Sequence, residues 1–262
     1  MMGVVSIFAV LLLLFVLPVI VLLLGAFSSS WAFPEVFPAV FDLRSLHYLA
    51  QHGQDIGLSL LSSCLYSFGT VVLTFGMTIL PAKLFARTDF FGKNFLEGML
   101  LAPALIPPMA FAMGAHFIFL RLGIADTRVG VILILSIISY PYMLRALTAG
   151  YQAYGDNFAL CAKNLGASPI RILVAVELPL LLPALLAGAT IVFLVAFSEY
   201  FLVFLIGGGT VPSYSGYIFP ILNSSERSVA SLLTLVFLAL PIVFFFVIDR
   251  LIYRANRRRG MG

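Results

Sequence analysis

Six stretches of this chain run for about the thickness of a bilayer core with almost no charge in them. They cover about 3–27, 56–81, 98–120, 129–150, 178–206 and 229–250. A helix needs about 20 mostly apolar residues to cross the hydrocarbon, and each stretch supplies that many. Their apolar positions are consecutive rather than alternating, which excludes the tilted strands of an outer-membrane barrel. The pattern therefore predicts an all-α membrane protein with six transmembrane helices in one domain spanning 1–262. Interruptions are few: Pro107-Pro108 and His116 in the third stretch, Arg145 in the fourth, Glu199 in the fifth, and Asp249-Arg250 closing the sixth.

The placement of the cations orients this set. Lys83, Arg87, Lys93, Arg145, Lys163, Arg171, Arg250, Arg254, Arg257, Arg258 and Arg259 fall on one side, which is 11 of the 15 Lys and Arg residues. Only Arg44, Arg121, Arg128 and Arg227 fall on the other. Positively charged loops stay in the cytoplasm, so both termini are expected there. The run Arg257 to Arg259 reads as an orientation anchor with an attraction to anionic lipid, not as a nucleic-acid patch. Small residues follow the first stretch as at a signal-peptide cleavage site, but no Lys or Arg precedes Arg44. A signal peptide opens with positive charge, so the first stretch is expected to be retained as a helix. Residues 28–55 form the longer external loop, where Trp31, Phe33, Phe37, Phe41 and Tyr48 suit the membrane interface.

Composition agrees and removes other classes. The chain is 62% apolar and 10% charged, against about 45–50% and about 25% in a soluble domain. Neither a free-standing soluble globule nor a disordered chain has this balance. Cys64 and Cys161 are too few for a disulfide scaffold. His47, His52 and His116 are scattered, so no metal site is expected.

One polar segment is longer than a connector needs. Between the fourth and fifth spans, 151–177 contains Asp156-Asn157, then helix formers from Phe158 to Leu165, then Gly166. Asp156 or Asn157 is suited to cap a helix start, and Gly166 to end it with a positive φ. Ser168-Pro169 then opens a second short helix carrying Ile170, Ile172, Leu173 and Val176. This is an amphipathic helix–Gly–helix hairpin, of a kind that lays a short apolar helix into a groove on a partner.

Leu160-Cys-Ala-Lys-Asn-Leu-Gly-Ala167, followed by Leu178-Pro179 and Pro183, resembles the cytoplasmic Glu-Ala-Ala loop of permease subunits from type I ATP-binding-cassette (ABC) importers. That family's loop reads E-A-A-x-x-L-G-A with a downstream L-P and a further proline. Here Leu160 stands in place of the Glu and Cys161 in place of the first Ala. Phe197-Ser-Glu-Tyr-Phe, Ile206-Gly-Gly-Gly-Thr-Val-Pro and Ala102-Pro-Ala-Leu-Ile-Pro-Pro are similar to the branch for polyamines, ferric iron and thiamine. The similarity covers roughly residues 55–250.

What the resemblance implies is a permease subunit of an ATP-driven, binding-protein-dependent importer in the bacterial inner membrane. It implies two cytoplasmic ATPase subunits, a second permease (a copy or a paralogue) and an external solute-binding protein. ATP and Mg would sit on the ATPases, with no cofactor on this chain. It assigns Leu160, Cys161, Ala162, Leu165, Gly166, Ala167, Arg171 and Pro179 to the ATPase-coupling loop.

Other residues are candidates on their own chemistry. Glu199 is a carboxylate within a span, and such residues face a bundle interior or a wet cavity. It reads either as a solute-path residue that attracts a cation or as a buried tie to a helix. His116 reads as a packing histidine or a path residue, and Pro107-Pro108 as a broken helix at a solute path or a plain kink. Gly207 to Gly209 lacks the Lys and Ser/Thr of a nucleotide loop and reads as a turn. No catalytic cluster is present, so the chain is not expected to be an enzyme. An ion-gradient-driven secondary transporter is the competing reading, but it predicts internal repeats and several intramembrane charges.

Overall fold

The computed structural model describes residues 2–29, 31 and 34–258. Phe33 and Arg259 lie outside the described residues. The described residues are almost entirely helical, with one isolated bridge between Ser28 and Phe41. Two compact units emerge: the two ends of the chain, through Leu60 and from Tyr214, form one, and Leu61–Ser213 forms the other.

In the first unit, α1 (Met2–Ala26) packs along α12 (Arg227–Arg258). Gly25 permits the approach, because a Cβ there would lie 2.8 Å from Ser231 Oγ. The short α2 (Arg44–Gln51) falls within the predicted external loop and also packs on α12. Arg44 pairs with Glu226 at 2.6 Å, and the hydroxyls of Tyr48 and Tyr217 lie 3.1 Å apart. Tyr48 is thus tied inward, whereas Phe37 and Phe41 are exposed. The helix α11 (Tyr214–Leu222) seats its buried Tyr214 against α12, donating to the Leu233 carbonyl at 2.9 Å.

The long α3 (Gly53–Arg87) begins in the first unit and runs into the second. The second unit is built on α6 (Arg128–Tyr154) packed against α9 (Leu178–Ser198). Thr127 caps α6 by accepting the Gly130 N–H at 3.0 Å. Small residues bring the two helices together, the usual device where lipid gives no hydrophobic drive to association. A Cβ on Gly188 would meet Met143 Sδ at 2.8 Å and Ala146 Cβ at 3.0 Å. One core joins Val131, Ile134 and Leu135 to Val203, Ile206, Ala112 and Phe119. A second joins Met143, Leu144, Leu147 and Tyr151 to Ala82, Phe85, Leu181 and Val192.

Among the described residues, four helices are long and apolar enough to cross a membrane: Gly53–Arg87, Arg128–Tyr154, Pro169–Ser198 and Arg227–Phe246. The apolar part of α1, Val10–Ala26, is a shorter stretch. Two expected spans are not single helices. Over 98–120, α4 (Lys93–Leu101) gives way to a 3₁₀ turn at Ala102–Ala104, and α5 restarts at Pro108–Arg121. Pro103, Pro107 and Pro108 remove three N–H donors, and Pro107 is extended at ψ 124° as a residue before proline must be. Over 178–206, α9 stops at Ser198 and α10 (Phe201–Gly207) follows a break at Glu199-Tyr200.

Candidate functional site

The segment 151–177 folds as a hairpin whose first arm is α7 (Asn157–Asn164). It stops where Gly166 takes φ +80°, a conformation that costs an L-residue about 1–2 kcal/mol. Ser168 then accepts the Arg171 N–H at 3.4 Å and opens α8 (Pro169–Ile172) with Pro169 in the first turn. The second helix opens at Ser168-Pro169 as expected but does not end before Leu178-Pro179. It passes through a π-helical turn at Leu173–Glu177 directly into α9, giving a continuous helix Pro169–Ser198. Ile172 and Glu177 are buried at the junction, and the helix runs on through Leu178-Pro179 without a break.

Asp156 occupies the N-cap position of α7 but makes no capping bond. Its carboxylate instead pairs with Arg87. Arg87 is nearly buried and its guanidinium lies 5.5 Å from the Tyr151 ring centre and 5.0 Å from that of Tyr154. At the other end of the hairpin, Glu177 is fully buried with Lys83 Nζ 2.8 Å from Oε1 and 3.0 Å from Oε2. Both feet of the hairpin are therefore held by cations one turn apart near the end of α3.

Between these feet the surface is apolar and open. Phe158, Leu160 and Ile170 are exposed, and Leu165 is 88% exposed. A shallow groove of about 300 Å³ is lined by Ala162, Leu165, Gly166, Ala167, Arg171, Ala175 and Val176. The structure thus gathers five of the predicted loop residues in one groove. Leu160 and Cys161 lie on exposed α7, and Pro179 lies in the first turn of α9. An exposed apolar helix edge backed by a groove is suited to docking a partner surface.

Three of the other candidates, Glu199, Pro107 and Pro108, occupy two separate breaks in the helical course. Glu199 sits at the α9–α10 junction, where its Oε1 accepts the Leu202 N–H at 3.2 Å and so caps α10. Pro107 and Pro108 are exposed at the start of α5. Further along α5, His116 has a buried Nδ1 with no hydrogen-bond partner among the described residues. The glycine run is a turn: Gly208 and Gly209 have positive φ, and Thr210 donates to the Asp126 and Gly207 carbonyls at 2.8 Å. Among the described residues no cluster of His, Cys, Asp and Glu is arranged to hold a metal.

Sequence reasoning assigned no site role to Lys83, Arg87, Asp156 or Glu177. Their signal was present: two cations at i,i+4 ending a span, and one carboxylate at each end of the next long loop.

Residues 73–259 match the family described as the binding-protein-dependent transport system inner membrane component. A molybdenum transport system permease protein (ModB) of Haemophilus influenzae is 27% identical over 47% of the chain, and the chain spans only 60% of its length. A spermidine/putrescine transport system permease protein PotC homolog of Mycoplasma pneumoniae is 26% identical over 78% of the chain and 74% of its own length. A probable sulfate transport system permease protein (cysT) of Nephroselmis olivacea is 26% identical over 72% of the chain and 70% of its own. In fold, the chain is similar to a crystal structure of a bacterial ABC transporter involved in the import of the acidic polysaccharide alginate. The TM-score is 0.69 at 16% identity, over 95% of both chains.

Proposed function

Because this chain belongs to the family of binding-protein-dependent transport system inner membrane components, we propose that it is the translocating subunit of an ATP-driven importer in a bacterial inner membrane. It is a multi-pass membrane permease of the ABC type. The finer reading is a six-span subunit with both termini in the cytoplasm and the 151–177 hairpin on that side. It pairs with a second permease, two cytoplasmic ATPase subunits that carry ATP and Mg, and an external solute-binding protein. The cargo is a small solute such as a polyamine, ferric iron or thiamine. Relatives named for molybdenum and sulfate transport add oxyanions to the range worth testing.

The observation that carries this reading is the hairpin. Phe158, Leu160, Leu165 and Ile170 are left uncovered on a polar-flanked hairpin that is itself anchored at both ends. Apolar residues so presented are stabilised by docking into a partner, and a docked arm can pass on a partner's movement. Leu160, Cys161, Ala162, Leu165, Gly166, Ala167, Arg171 and Pro179 form the coupling surface in this reading. Glu199, His116, Pro107 and Pro108 lie along the translocation path. Closure of the ATPases moves the hairpin, and the spans switch the path between outer and inner access, each state needing its own contacts.

Co-purification with uptake tests this. Tagged chain expressed with its neighbouring genes should bring down an ATPase and support ATP-dependent uptake of one of spermidine, ferric iron, thiamine, molybdate or sulfate. Gly166→Val should weaken both, because a β-branched residue resists positive φ. Uptake that proceeds without an associated ATPase and collapses with a protonophore would overturn the proposal in favour of an ion-coupled carrier.

A further inference from the structure

The two cations that hold the hairpin belong to one helix, and that shapes what the hairpin can do. Lys83 and Arg87 stand one turn apart at the end of α3, a helix of 35 residues and so about 50 Å long. Their partners, Glu177 and Asp156, stand at opposite ends of the hairpin. Lys83 is the sole cation within ion-pairing distance of Glu177 among the described residues. A carboxylate with no exposure at all is costly once its cation leaves. The second foot therefore cannot shift without either dragging α3 or stranding a buried charge.

The first foot is held differently. The Arg87 guanidinium lies against Tyr151 and Tyr154, in the last turn of α6, and reaches out to the half-exposed Asp156. Arg over aromatic faces gains cation–π attraction, and a cation at a helix C-terminus complements the helix dipole. One foot is therefore fastened in the interior and the other at the surface, on successive turns at the end of the same helix.

We propose that Lys83 and Arg87 form a two-point clamp that delivers movement of the hairpin to α3, so that these positioning residues set how much solute moves per ATP hydrolysed. The clamp rests on the coupling reading above and adds α3 as the element that receives the stroke. Docking of the hairpin on the ATPase belongs to the exposed apolar face between its ends, whereas the clamp holds the two ends themselves. Disabling the clamp should therefore leave the complex assembled and hydrolysing ATP while solute movement fails.

The test uses the whole complex, with ATPases and binding protein, in proteoliposomes. The probe is whichever of radiolabelled spermidine, molybdate or sulfate the wild type accumulates. Glu177→Gln should lower solute accumulated per ATP by about tenfold, the scale of a typical coupling free energy. Asp156→Asn, at a half-exposed site that tolerates change, should lower it less. The reversed pair Lys83→Glu with Glu177→Lys should recover most of the ratio lost in either single variant. A wild-type ratio in both Glu177→Gln and Asp156→Asn would overturn the clamp, as would a reversed pair no better than its singles. If the wild-type chain retains no ATPase at all, the coupling reading itself falls, and that result is separate from either clamp outcome.

Discussion

Replacing Gly150 by Ala should loosen the packing that sets the spacing of the hairpin's feet. Gly150 lies in the penultimate turn of α6, just before the hairpin, and faces α9. A Cβ at this position would come to 2.5 Å from Ala184 Cβ and 3.0 Å from Leu181 Cδ2. Ordinary carbon contacts begin at about 3.5 Å, so α9 must retreat by roughly 1 Å. Ala184 has no rotamer to swing aside, so the backbone must move. Overpacking of this kind costs about 1–3 kcal/mol, and the helix preference of Ala over Gly returns about 1 kcal/mol. The net loss is up to about 2 kcal/mol, or up to about 4–8 °C in thermal midpoint for a chain of this size, and against an unhindered Gly→Ala change it is about 1–3 kcal/mol. Thermal unfolding of the purified protein in detergent measures it. Gly76→Ala is the control, because nothing lies within 4 Å of a Cβ there. A Gly150→Ala midpoint equal to that of Gly76→Ala would refute the argument that α6 and α9 touch through this glycine.

Substitutions at three further positions test other parts of the structure. Glu199→Gln keeps an oxygen for the Leu202 N–H and should match the wild type in midpoint, whereas Glu199→Ala loses the cap and about 1 kcal/mol, read by the same unfolding assay. Tyr214→Phe removes the hydroxyl that donates to the Leu233 carbonyl in a fully buried site and should cost about 1 kcal/mol, seen as a lower denaturation midpoint. Lys93 donates a hydrogen bond to Asp89 and adds its charge, holding that carboxyl below the usual aspartate range. A carboxyl lowered in the folded state stabilises above its unfolded value and loses that contribution as pH falls through the folded one. Asp89→Asn should therefore lower the midpoint at neutral pH only slightly, since Asp89 is fully exposed and its charge is screened. That difference should vanish in acid, which a pH series of melting curves follows.

Reading outward from particular residues shows where sequence sufficed. Gly166, Ser168 and Pro169 act locally, through φ preference, a capping hydroxyl and a missing N–H, so the hairpin's turn was legible before any tertiary contact. The same holds for Pro107-Pro108, whose break in the third stretch follows from covalent geometry. The continuous apolar runs determined a helical membrane protein, because hydrocarbon leaves backbone groups no other partner.

Asp156 marks the limit of that reasoning. Its local role was a helix cap, and it surrendered that role to an arginine far away in the chain. Glu199 made the opposite exchange, since a carboxylate that reads as a path residue also caps α10 at an unforeseen break. The second arm of the hairpin joined α9 because buried Ile172 and Glu177 fixed it there, and neither burial nor partner can be read along a strand of letters. Local chemistry determined which segments are helices and where they turn. Only the tertiary structure decided that Lys83 and Arg87 meet the two ends of one hairpin, because an ion pair depends on distance in space and on the loss of water around it.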